Sequence, residues 1–181
     1  MAKIEGPRDF VALNIAVLTV SDTRTEADDK SGEVLVGRLT SAGHHLAGRA
    51  IVIDQQEAIA AALRPWIADP AVDVVLATGG TGLTGRDVTP EAFEALFDKE
   101  IPGFGELFRA ISFAKIGAST IQSRATAGVA GGTYLFALPG SPGACRDAWD
   151  EILATQLDLR HRPCNFVELM PRLSEHERGG S

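Results

Sequence analysis

Cysteine is scarce in this chain of 181 residues: only Cys145 and Cys164 are present, well apart and outside any CxxC pair. A disulfide scaffold and a cysteine-ligated metal site are thereby excluded, and two free thiols point to a reducing, cytoplasmic setting. Cationic charge is also short, with 17 Lys and Arg against 24 Asp and Glu and a net charge of −7. Nucleic acids and anionic membranes draw most of their affinity from cations, so neither is expected as a partner; a local basic pocket for a small anion stays open. No apolar run approaches the roughly 20 residues of a membrane-spanning helix. Met1 to Arg8 lacks the basic-then-apolar order of a signal peptide. His44, His45, His161 and His176 show no metal-ligand spacing and are expected at the surface or as caps. There is no Ser/His/Asp or Cys/His set to support acyl transfer, and no internal repeat or linker.

Hydrophobic residues make up 45% and charged residues 23%, ordinary proportions for a globular protein. A chain of this length buries roughly 70% of its surface on folding, enough for one core. One domain over residues 1–173 is expected, with a frayed or docked lead-in at Met1 to Asp9 and a disordered polar tail at 174–181. Leu13 to Val20 is a nearly continuous apolar run of strand length, the pattern of a strand covered on both faces in a parallel sheet. Further strands are expected at Ala50 to Ile53, Val72 to Ala77, Thr126 to Val129 and Thr133 to Leu138, the last two flanking a Gly131-Gly132 hairpin turn. Helical spacing covers Ser31 to Ala42, Gln56 to Ala68 (with Pro65 inside it), a segment opened by Thr89-Pro90-Glu91, Phe104 to Ile116, and a last helix opened by Ser141-Pro142. Cys145, Trp66 and Trp149 read as core, and Arg160 to Leu173 as irregular, packed on its own sheet or on a neighbouring subunit. Strands alternating with helices predict an α/β fold, a three-layer αβα sandwich around a mostly parallel sheet. Ligands bind such folds beyond the carboxyl ends of the strands, which places the chemistry after Val20, Ile53, Ala77 and Leu138.

The residues at those four places suit phosphate. After Ala77 comes Thr78-Gly79-Gly80-Thr81-Gly82-Leu83-Thr84-Gly85-Arg86-Asp87, where glycines let backbone N–H groups approach an oxyanion and the threonines and Arg86 add donors. Gly80 to Gly85 also satisfies G-x-G-x-x-G. A dinucleotide fingerprint would open a helix within that loop and place an acid at the next strand end; here the helix waits until Thr89. No Walker-type lysine motif is present. Pro139-Gly140-Ser141-Pro142 precedes the last helix, whose start is either simply capped or a second anion site. Ser21 and Asp22, Asp54, and Asp87 put three carboxylates beside the phosphate loops, an arrangement that repels phosphate unless Mg²⁺ bridges the two.

Taken in order, Thr19-Val20-Ser21-Asp22, Asp29 with Ser31-Gly32, Thr78 to Gly82, Arg86 to Glu91, Pro102-Gly103-Phe104-Gly105-Glu106, Ser123-Arg124 and Leu138 to Pro142 resemble the MoaB/MogA family of molybdenum-cofactor biosynthesis proteins. The resemblance runs from about Ile15 to Arg172, and Gly43-His44-His45 and Arg160 to Phe166 are closer to the MoaB branch. It implies a Rossmann-like molybdopterin-binding domain and Mg²⁺-dependent adenylyl transfer from ATP to the terminal phosphate of molybdopterin. On that resemblance Thr78, Gly79, Gly80, Thr81 and Gly82 would cradle phosphate, with Ser21 and Asp22 nearby. Asp54 and Asp87 would be the catalytic and Mg²⁺-holding carboxylates. Ser123 would touch the pterin side, and Pro139, Gly140, Ser141 and Pro142 would line the other phosphate site. It also implies a homo-oligomer, trimer or hexamer, and a downstream metal-insertion protein as partner. Ile53-Asp54-Gln55 stands where the family often has Pro-Asp-Glu, so Gln55 is assigned no role. A non-catalytic molybdopterin-binding or scaffold protein of the same fold is the alternative, since both need the glycine loop.

Overall fold

A computed structural model describes residues 6–175. Its sheet has six strands in the order β2-β1-β3-β6-β5-β4. β1 (Asn14–Val20), β2 (His45–Val52), β3 (Val74–Thr78) and β6 (Thr133–Leu138) run parallel. β5 (Thr126–Ala130) pairs antiparallel with β6 across the Gly131-Gly132 turn, and the short β4 (Lys99–Glu100) antiparallel with β5. Both turn glycines have positive φ, +56° and +87°, as a tight hairpin requires.

Alternation along β1 explains the layers. Ile15 and Val17 face a core shared with α1 (Lys30–Ser41), α4 (Pro102–Ile116) and α5 (Pro142–Ala148). Ala16, Leu18 and Val20 face a second core with α2 (Gln56–Ala68) and α3 (Thr89–Glu94). Two apolar faces on one sheet need helices on both sides, which is the expected three-layer sandwich. A five-residue π-helical turn (Trp149–Leu153) joins α5 to α6 (Ala154–Gln156), and α7 (Phe166–Leu169) lies in the final segment.

Several boundaries differ from expectation. β2 begins at His45 rather than Ala50, because it is an edge strand whose first residues are exposed and mixed in character; Ile53 lies beyond it, exposed. β4 has only two residues and no apolar signature, and Gly117–Gln122 forms a 3₁₀ helix after α4. Pro65 sits within α2, whose helix continues to Ala68. The Arg160 to Leu173 segment covers its own sheet: Tyr134 donates its hydroxyl to the Phe166 carbonyl at 3.0 Å, and the two rings lie 4.9 Å apart. The lead-in docks on the same chain, Arg8 pairing with Glu168 at 3.1 Å. Trp149 and Cys145 are buried as expected, and Trp66 is partly buried against the second core. His44 is not at the surface. It is buried between Phe10 and Trp149, and its Nδ1 accepts the Leu13 N–H at 3.1 Å. Residues 1–5 of the lead-in and 176–181 of the polar tail lie outside the described residues. Among the described residues no helix is long and apolar enough to cross a membrane.

Candidate active site

Strand order reverses between β1 and β3, and the turns leaving β1, β3 and β6 meet above that point. They meet backbone to backbone. Gly79 has φ +105°, and a methyl group there would overlap the Val20 carbonyl oxygen at the end of β1. A methyl on Gly140 would lie 3.2 Å from the Gly79 Cα, and the Gly79 N–H donates to the Leu138 carbonyl at 3.0 Å. Gly80, with φ +64°, carries the chain over Asp54 and Thr89: a methyl there would overlap the Thr89 hydroxyl and sit 2.8 and 2.9 Å from the two Asp54 carboxylate oxygens. These glycines serve close approach, so the loop's shape is set by its neighbours. Arg124 holds the outer half of the loop, donating to the carbonyls of Gly82 (2.8 Å) and Asp87 (2.7 Å) and pairing with Glu91.

Two adjoining hollows result, each of about 410 Å³. The first, over the β1–β3 crevice, is lined by Ser21, Asp22, Arg24, Asp54 and Gly79 among others. The second, below α4 and the 3₁₀ turn, is lined by Thr81, Gly82, Asp87, Ser123, Pro139 and Ser141, with Phe108, Ser112, Ile116 and Gln122 on its far wall. Gly80 and Gly140 border both. Asp54 and Asp87 therefore stand on either side of one glycine partition.

The three carboxylates are not equivalent. Arg86 binds Asp22 through two N–H groups (3.0 and 2.6 Å), and this bond, with a second from the Asp54 N–H, holds the Asp22 pKa below its usual value. Arg86 is thus committed to a carboxylate instead of serving as an open donor. Burial pushes Asp54 up, and the charges of Asp87 and Asp22 push the same way against a bond from the Val88 N–H. Burial also raises Asp87, but bonds from Thr84 and Gly82 and the charge of Arg124 outweigh it and leave the pKa low. A carboxylate raised by burial and by neighbouring negative charges is one that a cation would relieve. The donors are hard oxygens, and the buried Thr89 hydroxyl, beside Asp54 under Gly80, has no hydrogen-bond partner among the described residues. Among the described residues no three acidic, His or Cys side chains converge as a closed metal cage. Mg²⁺ commonly takes one or two carboxylates and fills its remaining positions with water and substrate phosphate, so the residues present fit that ion.

Two of the expected binding residues do not face the hollows. Thr78 is fully buried, and its hydroxyl lies 3.0 Å from the Pro139 carbonyl and 3.2 Å from the Cys145 sulfur; it ties β3 to the turn after β6 and borders neither hollow. Pro142 is the first residue of α5 and borders neither hollow. Ser141 caps α5 through the Ala144 N–H at 3.1 Å and also lines the second hollow. Sequence reasoning missed Arg24, which borders the first hollow, and gave Arg124 no role and Thr89 only that of opening α3, where the cap is Val88 and the Thr89 hydroxyl caps nothing. The Arg immediately after Ser-Asp-Thr at a strand end was the available signal for Arg24.

The sequence pattern of the family described as "Probable molybdopterin binding domain" matches residues 16–159, which span both hollows. The chain belongs to this family. It is 56% identical over 158 residues to Molybdenum cofactor biosynthesis protein B of Escherichia coli K12, covering 87% of this chain and 93% of that one. Against the Bacillus subtilis protein of the same name it is 47% identical over 142 residues, covering 78% and 84%. A crystal structure of Molybdenum cofactor biosynthesis protein B superposes with a TM-score of 0.79 at 46% identity, covering 84% of this chain and 94% of that one. The tungsten cofactor synthesizing protein MoaB from Pyrococcus furiosus superposes with a TM-score of 0.72 at 40% identity, covering 79% and 91%. The αβα architecture and the MoaB/MogA resemblance are both confirmed.

Proposed function

We propose that this protein acts in molybdenum-cofactor biosynthesis as a Mg²⁺-ATP-dependent molybdopterin adenylyltransferase. The observation that carries the reading is the pair of hollows sharing Gly80 and Gly140, with Asp54 on one side and Asp87 on the other. Two polyanions bound there would bring their phosphates together at the glycine partition. In the reaction a terminal phosphate oxygen of molybdopterin bonds to the α-phosphorus of ATP. The bond from that phosphorus to the bridging β-oxygen breaks, and pyrophosphate leaves with the electron pair. The attacking phosphate is already an anion, so no side chain need take a proton. Catalysis then rests on positioning and charge neutralisation.

Asp54 and Asp87 would hold Mg²⁺, which when bound would neutralise phosphate charge. The backbone of Gly79 to Gly82 would cradle the phosphates, with Ser21 at the edge of the first hollow. Ser123, Pro139, Gly140 and Ser141 would contact the molybdopterin side, where the wall also carries Phe108 and Ile116. Self-association belongs to the proposal and is supported by the exposed Leu83, Leu107, Phe113, Ile116 and Ile121 on α4 and the turns beside it. Purified protein with molybdopterin and MgATP should release pyrophosphate and form adenylyl-molybdopterin, and Asp54→Asn or Asp87→Asn should each lower turnover by roughly 100-fold or more. Molybdopterin binding without turnover at saturating MgATP would select the non-catalytic binding role instead.

A further inference from the structure

Arg24 is the one arginine bordering these hollows, and it forms no ion pair with a carboxylate among the described residues. Arg86 and Arg124, on the same loops, are each spent on one: Arg86 on Asp22 and Arg124 on Glu91. Arg24 is half-buried and held by neutral groups. One terminal nitrogen donates to the Ser31 hydroxyl at 2.6 Å and the other to the Gly140 carbonyl at 3.0 Å. The Arg24 backbone N–H donates to the Ser21 hydroxyl at 3.2 Å. Ser31 is in turn 3.4 Å from the Asp29 carboxylate, which caps α1 and pairs with Arg49. The guanidinium is therefore fixed in place from two sides while its charge is not matched by a contacting acid. A guanidinium has five N–H donors, and neutral acceptors leave its charge available to an anion.

The first hollow consequently has two poles. Asp54 lies on one side, beneath Gly80; Arg24 lies on the other, bonded to the Gly140 carbonyl, with Gly79, Gly80 and Gly140 between them. A chain of phosphates carrying a divalent ion matches both poles, the ion toward the carboxylate and the free oxygens toward the guanidinium. The second hollow has Asp87, hydroxyl residues and an apolar wall but, among the described residues, no cationic side chain along its border.

We infer that Arg24 is the binding residue for the β- and γ-phosphates of the nucleotide, so that the triphosphate occupies the β1–β3 hollow and molybdopterin the hollow beneath α4. This rests on the adenylyl-transfer reading. When the α-phosphorus is attacked and its bond to the bridging β-oxygen breaks, the negative charge that builds on the departing pyrophosphate faces Arg24.

The test uses inorganic pyrophosphate with Mg²⁺ as the probe, measured by calorimetry on the full chain, beside molybdopterin binding and steady-state kinetics. Arg24→Ala should weaken pyrophosphate binding roughly 10- to 100-fold, the factor for losing a charged hydrogen-bonding anchor. Molybdopterin affinity should stay unchanged, and the KM for ATP should rise. Arg24→Lys should recover part of the pyrophosphate affinity, because charge is retained while the fork to Ser31 and Gly140 is lost. Ser31→Ala, which removes a support and no charge, should have a smaller effect. Unchanged pyrophosphate affinity in Arg24→Ala overturns the inference while leaving adenylyl transfer intact. An equal loss of both ligands together with a lower melting temperature and no rescue by lysine also overturns it, since Arg24 would then be only a strap on Gly140. Arg24-dependent pyrophosphate binding in a protein that forms no adenylyl-molybdopterin supports the anion site and refutes the enzymatic reading.

Discussion

Replacing Gly80 by alanine tests the geometry of the glycine partition directly. The residue has φ +64°, where a side chain costs about 1–2 kcal/mol. The added methyl would also overlap the Thr89 hydroxyl and press on both oxygens of Asp54. Thr89 is fully buried, so the strain falls on the loop or on the Asp54 carboxylate, at a further cost of about 1–2 kcal/mol. A loss near 3 kcal/mol lowers the melting temperature by about 10 °C in a chain of this size. The larger effect is expected on turnover, because displacing a charged group by roughly 1 Å at a reacting centre costs about 100-fold. Gly85 is the internal control: it lies in the same loop, has no positive φ, and a methyl there meets nothing within 4 Å. Calorimetric melting and adenylyl-transfer rates should therefore fall in Gly80→Ala and stay near wild type in Gly85→Ala. Wild-type values for Gly80→Ala would refute the close contact with Asp54 and Thr89, and equal losses in both variants would show that the loop, rather than this niche, is what responds.

Asp29 is fully buried and accepts bonds from Thr19 (2.8 Å), Gly32 (2.9 Å) and Arg49 (2.9 Å). Asp29→Ala should cost about 3 kcal/mol in urea unfolding, moderated because Arg49 keeps Glu33, and Asp29→Asn roughly half of that. Burial opposes the Asp29 charge but these bonds outweigh it and lower its pKa, so its contribution is complete above about pH 4 and is lost below; acid unfolding of Asp29→Ala should be correspondingly shallower. Burial lowers the pKa of His44, with Asp158 and Asp73 opposing, and its Nδ1 must stay unprotonated to accept from Leu13. The unfolded chain then binds the proton more readily, so stability should decline as pH falls below about 6.5, and a His44→Gln variant should flatten that slope in denaturation measured from pH 7.5 to 5. Burial pushes the Cys145 thiol up to about 11, whereas Cys164 is exposed. A thiol reagent should label one cysteine in the native protein and both after unfolding, and rapid native labelling of Cys145 would contradict the packing of α5 on β6.

Much of the fold is legible in local sequence because parallel strands covered on both faces are continuous apolar runs. β1, β3 and β6 announce themselves that way, and hydroxyl or proline starts mark α3 and α5. An edge strand has no such signature, which hides the first half of β2 and all of β4. His44 escaped for a related reason: a lone histidine looks like a surface residue until Phe10, Trp149 and the Leu13 amide are seen to enclose it. The glycine loop and the acids at strand ends are local too, since tight backbone turns need glycine wherever they occur. Which of those residues touch a ligand is a property of three chain segments brought together. Thr78 turns toward Cys145 because α5 packs there, Arg86 goes to Asp22 across the crevice, and Arg24 gains its place only when α1 and the β6 turn supply Ser31 and Gly140. Composition and periodicity thus determined the layers and the end of the sheet where the glycine turns meet around the two hollows. In the candidate site, the direction of each side chain, and whether its charge is spent on a neighbour or left open, was decided by contacts between residues as far as 116 positions apart, which no local pattern encodes.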